Sequence, residues 1–247
     1  MSKEFFSLEG KVAIITGGAR GLGKAIAEAF VSAGANSLIA DINETAAAET
    51  SEEFAGKGPE VKAKYVDISA EKSVDEMVDF ALKHFGKIDI LVNNAGIGGG
   101  EPAPEKLEKE FWDKIIAVDL TGTFLCSKAV GIHMIKQRHG KIINMASVSG
   151  LVVQRLTRKH NPAYSVAKAG VIMLTKVLAG EWAKYNINVN LQDDEGYTAI
   201  MYASLYGYID YVKLLIPQSD LTIRNNDGDT VLDLTTDNKI KRLLRRV

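Results

Sequence analysis

Short apolar runs alternate with longer amphipathic stretches along this chain, and the alternation stops near Asn190. The runs lie at 12–15, 37–40, 61–66, 88–92 and 141–145, and a sixth begins at Ile187-Asn188-Val189-Asn190. Several are β-branched, as expected of strands buried on both faces of a parallel sheet. The stretches between them, 22–33, 44–55, 74–84, 107–136 and 163–184, carry helical periodicity. Such an alternation predicts an α/β fold, a doubly wound parallel sheet with right-handed crossovers. Ligands in such folds sit at the carboxyl ends of the strands. Beyond Asn190 the pattern becomes helix–turn–helix: 198–206, a stop at Gly207, 208–215, then 230–234 and 239–246. The expected domains are therefore 1–190, the α/β part, and 191–247, a small all-α extension.

A chain of 247 residues can hold one large α/β domain or two small ones. Its net charge of -1 gives no general attraction to nucleic acid or an anionic membrane, and neither partner is expected. The basic residues near the end (Lys239, Lys241, Arg242, Arg245, Arg246) read as the solvated end of a last helix, where cations complement the dipole. A nucleic-acid or lipid contact is the alternative. Cys126 is the single cysteine, so no internal disulfide can form. With no signal-peptide core and no apolar run long enough to span a bilayer, a reducing, cytoplasmic location is expected. The four histidines show no paired metal spacing, and no metal is expected.

The first strand leads into Thr16-Gly17-Gly18-Ala19-Arg20-Gly21-Leu22-Gly23, which opens a helix. Gly17 allows a tight turn, Gly21 lets the backbone approach a pyrophosphate, and Gly23 permits close helix–strand packing. The helix N-terminus at Leu22 points free N–H groups at the anion. Asp41 closes the second strand, where a carboxylate accepts hydrogen bonds from ribose hydroxyls and repels a 2′-phosphate. That favours NAD over NADP, although Arg20 could meet a 2′-phosphate. Asp67 ends the third strand and could meet the adenine; the alternative is an N-cap for the next helix, with Ser69 as rival cap. Asn93-Asn94-Ala95-Gly96 follows the fourth strand and suits a backbone that passes close to a ligand, with Asn94 among the candidate cofactor contacts. Tyr164 and Lys168 share one face of a helix that Asn161 would cap, with Pro162 in its first turn. A free phenol has a pKa near 10, and a neighbouring ammonium favours its ionised form, so Lys168 would make Tyr164 a usable acid/base. Ser147 stands upstream, at the end of the fifth strand.

Taken together, residues 8–190 resemble the short-chain dehydrogenase/reductase family: T-G-x-x-x-G-x-G at 16–23, the acid at 41, N-N-A-G at 93–96, Ser147 and Y-x-x-x-K at 164–168 occur in family order. The resemblance implies a Rossmann-like fold and an NAD-dependent oxidoreductase acting on a secondary alcohol or ketone, sugar- or polyol-like. Tyr164 would exchange the substrate's proton, Lys168 would lower the phenol pKa and hold the nicotinamide ribose, and Ser147 would position the substrate oxygen. Asp119 completes the nominal catalytic set in a Val118-Asp119-Leu120 context where the family usually has Asn. A carboxylate cannot donate as an amide does, which bears on the proton relay. The stretch between Ser147 and Tyr164 is longer than usual and basic (Arg155, Arg158, Lys159). Relatives often pair through the fourth and fifth helices, so a homodimer is expected.

After Asn190 the family's Pro-Gly loop, substrate-covering helices and last strand are missing. Residues 191–247 instead resemble ankyrin repeats, with Asp194-Glu195-Gly196-Tyr197-Thr198 echoed by Asn226-Asp227-Gly228-Asp229-Thr230. Ankyrin repeats usually present a protein-binding surface. One and a half repeats rely on neighbours to bury a core, so the tail is expected to lean on the dehydrogenase part or remain loosely ordered. The junction reads as non-native: a designed chimera, a gene-model error and a recombination product all fit it. Two functions follow as expectations: an oxidoreductase slowed by its missing substrate lobe, or a binding-only, cofactor-holding scaffold with a protein-interaction tail.

Overall fold

The protein, seen in a computed structural model that describes residues 7–98, 104–151, 161–192, 196–216 and 219–245, is built on a six-stranded sheet. The strands are β1 Val12–Thr16, β2 Asn36–Asp41, β3 Val61–Tyr65, β4 Ile90–Asn93, β5 Gly140–Met145 and β6 Ile187–Gln192. All pairs are parallel and the order is β3-β2-β1-β4-β5-β6. The chain winds outward from β1 to β3, then crosses back to lay β4 on the other side of β1. That reversal parts the loops after β1 and β4 and leaves a crevice at their carboxyl ends.

Side chains alternate across each strand, so the sheet has two apolar faces. Ala13, Ile15, Ile39 and Val92 meet Ala27, Val31, Ala47 and Phe54 of α1 (Gly21–Ser32) and α2 (Glu44–Phe54). Ile14, Leu38, Leu91 and Ile142 meet α3 (Glu71–Phe85), α5 (Thr123–Gln137) and α6 (Pro162–Trp182). Asp89, nearly buried before β4, ties the amino ends of the strands by accepting the Val12 N–H at 2.8 Å.

The stretch at 107–136 is not one regular helix. α4 (Lys109–Ile115) passes into a π-helical segment, Ile116–Gly122, before α5 begins. A π insertion of this kind rotates the side chains that follow it and often marks a functional site. As continuous helices, Lys109–Gln137 and Pro162–Tyr185 are long and apolar enough to cross a membrane, with mean hydropathy 1.6 and 1.2. This departs from the expectation that no apolar run is long enough to span a bilayer. Here both helices flank the sheet and bury apolar residues such as Val130, Met134, Leu178 and Ala179 against it.

After β6 the chain forms α7 (Ala199–Leu205), α8 (Ile209–Leu215), α9 (Val231–Leu234) and α10 (Asn238–Leu244). They enclose their own core of Ile200, Met201, Ala203, Val212, Val231, Ile240 and Leu244. The two glycine turns stack: a Cβ on Gly196, which has φ of +80°, would lie 2.8 Å from the Asn226 nitrogen. The tail therefore has a core distinct from those on the sheet, where the expectation is that it leans on the first part or remains loosely ordered. It reaches the sheet through Asp220, 3.0 Å from the ammonium of Lys141 on β5.

Candidate active site

The glycine loop after β1 has the backbone its sequence requires. Gly17 and Gly21 have φ of +64° and +55°, where a side chain is strained. A Cβ on Gly23 would run into the Gly17 carbonyl oxygen, and one on Gly17 would lie 2.8 Å from the Ala95 Cα. At Gly21 the same position opens on empty space. Arg20, exposed and extended, precedes α1 without a side-chain cap, and Leu22 is half exposed in its first turn. The first-turn N–H groups thus face an open cradle suited to an anion.

Asp41, at the end of β2, accepts the Ala19 N–H at 3.1 Å and the Asn43 N–H at 3.0 Å. Its carboxylate is therefore held beside the glycine loop. Asp67 accepts the Ser69 N–H at 2.9 Å and the Ser69 hydroxyl, closing a local turn. Neither residue caps α3; Ala70 takes that position without a side-chain bond, because the Asp67 carboxylate turns back on its own loop.

A second loop, after β4, is clamped to the first. The Asn94 amide donates to the carbonyls of Thr16 and Gly17 at 3.0 and 3.1 Å. The Thr16 hydroxyl accepts the N–H groups of Asn94 and Ala95, both at 3.1 Å. Asn94 thus shapes the loop that would carry the ligand. Two residues on, the Ile97 N–H donates to Asp119 Oδ1 at 2.8 Å. Asp119 lies in the π-helical segment and is fully buried. Burial pushes its carboxyl above the usual range, while the Lys168 ammonium and the Ile97 N–H pull it back.

Lys168 stands one turn into α6 from Tyr164. Asn161 caps this helix as expected, accepting the Tyr164 N–H at 3.2 Å, with Pro162 beside it in the first turn. Lys168 is 5% exposed and donates to the Met145 carbonyl at the end of β5, 3.0 Å away. Its ammonium sits 5.5 Å from the Tyr164 ring centroid and 3.8 Å from Asp119 Oδ2. The second distance makes an ion pair, not a hydrogen bond. Burial lowers the Lys168 pKa and Asp119 opposes that fall. Ser147 opens the short turn Val148–Gly150, its hydroxyl accepting the Ser149 N–H at 3.2 Å. Gly150 brings that turn onto α6, where a Cβ would lie 2.7 Å from the Ala169 nitrogen.

One supporting network was not anticipated from sequence. The buried Asn93 amide donates to Ser127 at 2.9 Å and to Asn144 at 2.8 Å, and Asn144 donates to Thr175 at 2.8 Å. It joins β4, β5, α5 and α6 behind the Tyr164–Lys168 helix. Its signal was present, since Asn144 interrupts the apolar run Ile142-Ile143-Asn144-Met145. The basic residues Arg155, Arg158 and Lys159, together with Asp194, Glu195 and Arg246, lie outside the described residues.

Comparison with known proteins matches residues 11–202 to the family described as short chain dehydrogenase, and residues 183–234 to ankyrin repeats. The chain is 41% identical over 186 residues to an NAD-dependent glycerol dehydrogenase of Listeria innocua, spanning 75% of this chain and 70% of that protein. It is 38% identical over 185 residues to a D-threitol dehydrogenase of Mycolicibacterium smegmatis, spanning 75% of this chain and 69% of that one. Among solved structures, a short-chain type dehydrogenase/reductase from Mycobacterium marinum superposes with a TM-score of 0.73 at 35% identity, covering 77% of each chain.

Proposed function

The chain belongs to the short chain dehydrogenase family, and from that membership we propose a nicotinamide-dependent oxidoreductase for a secondary alcohol or ketone of sugar or polyol type. One observation carries the reading. A continuous series of contacts runs from Gly17 through Asn94 to the second loop, and from Ile97 through Asp119 and Lys168 to Tyr164. The anion cradle and the acid/base pair are thus parts of one assembly.

The residues present fit a dinucleotide. Gly17, Gly21, Leu22 and Gly23 would hold its pyrophosphate at the open start of α1. Asp41 would accept from the adenosine ribose, which supports NAD over NADP. Lys168 would meet the second ribose, and Ser147 would hold the substrate oxygen. When bound, the nicotinamide supplies the hydride acceptor or donor. Tyr164 exchanges the proton, its phenolate favoured by the Lys168 ammonium. The glycerol and threitol specificities of the named relatives support a polyol substrate. The segment that would enclose that substrate is replaced by the ankyrin-like tail, so turnover is expected far below that of a full-length relative. We place the protein in a reducing cytoplasm, a reading supported by the single buried Cys126, whose thiol burial pushes up to about 12.

Two interaction surfaces accompany this reading. Phe124 and Ile132 on α5, and Val166, Met173 and Val177 on α6, are exposed apolar residues that support a homodimer. On the tail, the rings of Tyr202, Tyr206, Tyr208 and Tyr211 follow one another at 6.2, 6.2 and 6.1 Å, the last three exposed. Rigid amphipathic rings of this kind suit a protein partner. The central test is a thermal melt with saturating NADH and with NADPH, followed by polyol oxidation. A melt raised by NADH and turnover abolished by Tyr164→Phe are expected. A melt indifferent to both cofactors would sink the reading.

A further inference from the structure

The Asp119–Lys168 pair has a consequence for Tyr164. Asp119 is fully buried, its Oδ1 is taken by the Ile97 N–H, and its Oδ2 has no hydrogen-bond partner among the described residues. What Oδ2 faces is Lys168 Nζ at 3.8 Å, and the same Nζ stands 5.5 Å from the Tyr164 ring centroid. One buried ammonium thus lies between a carboxylate and a phenol. The π-helical segment Ile116–Gly122 carries the Asp119 side chain to this place. It is also packed against Gly96, where a Cβ would approach Oδ2 to 3.3 Å.

We propose that Asp119 is a positioning residue that sets the working pH of the site, by holding Lys168 and offsetting the field that its ammonium places on Tyr164. The proposal rests on Tyr164 being the acid/base of the reading above. An ammonium favours the phenolate and a carboxylate disfavours it, so the phenol responds to the sum of the two. Among the described residues, the charged groups of α4 (Lys109, Glu110, Asp113 and Lys114) are exposed, and what α4 packs on α6 is apolar. α4 brings Phe111, Trp112 and Ile115, the turn after β5 brings Ser147 and Ser149, and β5 brings the Met145 carbonyl. Asp119 is the charged group that acts on Lys168. With the carboxylate in place, Tyr164 ionises at higher pH than Lys168 alone would allow. Alcohol oxidation, which needs a base, then has an acid limb displaced to higher pH.

The test compares the parent chain with Asp119→Asn and with the charge-conserving Asp119→Glu. The phenolate absorbance of each ligand-free protein is titrated and the same curve for its Tyr164→Phe partner is subtracted, which isolates Tyr164. The Asn variant is expected to move that transition down by about one pH unit, with the Glu variant near the parent. The acid limb of oxidation is expected to move the same way. A Tyr164 transition unmoved or raised in the Asn variant overturns the proposal. A lowered transition without any oxidation in any variant would keep the coupling of Asp119 to Tyr164 but overturn the working-pH role together with the dehydrogenase reading. If Asp119→Asn loses its cooperative melt, Asp119→Ser carries the same comparison; loss of folding in both overturns an electrostatic role in favour of a structural one.

Discussion

At the scale of single residues, the cofactor cradle depends on atoms that are absent. Gly23 must lack a Cβ because the Gly17 carbonyl occupies its place. Gly23→Ala is expected to destabilise the fold by about 1–3 kcal/mol, as overpacking does, and to abolish the NADH-induced rise in melting temperature. A chemical melt with and without NADH checks both; an unchanged response would mean the loop does not hold the pyrophosphate. Asp41 orients the Ala19 and Asn43 amides and is the carboxylate proposed to meet the ribose. Asp41→Ala is expected to weaken NADH by about tenfold and NADPH much less, a difference near 1.4 kcal/mol that calorimetric titration resolves. The glycine and acid positions were legible from spacing alone, because a tight turn and a strand end are local. The Lys168 contacts were not, since its partners Asp119 and Met145 are remote in sequence and meet only across the sheet end.

At the scale of elements, α6 is the part that must be placed well, and β4, α5 and β5 share that task through Asn93, Ser127 and Asn144, which reach Thr175 on α6. Thr175→Val removes the acceptor for the Asn144 amide inside the core. It is expected to cost about 1–3 kcal/mol by denaturant melt, the penalty of an unpaired buried donor. No loss of stability would show that the network is dispensable. The helix start was readable from Asn161-Pro162, because capping is a local match of side chain to free N–H groups. The π-helical break at Ile116–Gly122 was not readable: the apolar periodicity across 107–136 continues through it, and only packing against Ile68 and α6 shows where the extra residue goes.

At the scale of the whole molecule, two separate cores imply two separate unfolding events. The sheet cores and the tail core share no buried residue, and Lys141–Asp220 is an ionic link between the two parts. Urea unfolding is expected to be biphasic, with Ile240→Ala weakening one transition by about 2–5 kcal/mol and leaving the other in place. A single shared transition would show that the parts are one cooperative unit. The link is also pH-sensitive. Burial alone would raise Asp220, but the Thr222 hydroxyl and amide and the Lys141 ammonium together hold its carboxyl below the usual range. A carboxyl lowered by folding adds stability above its unfolded pKa, about 4, and that contribution is lost as pH falls through the lower folded value. Asp220→Asn is therefore expected to destabilise the protein at about pH 7 by no more than about 1 kcal/mol, and to match the parent near pH 2. Association is a further property at this scale: Met173→Asp on the exposed stripe of α6 is expected to convert a dimer to a monomer by light scattering.

Sequence alone determined the alternation that makes a doubly wound sheet, the glycine loop, the Tyr164–Lys168 face and the change of character after Asn190. Each is a local pattern, written in spacings of a few residues that strand pleat, helix turn and capping impose directly. Tertiary structure alone decided that Asp119 faces Lys168, that Asn93 and Asn144 support α6, and that the tail closes over a core of its own. Those outcomes depend on which distant surfaces meet once apolar area is buried, and burial is a property of the packed whole that no short spacing encodes.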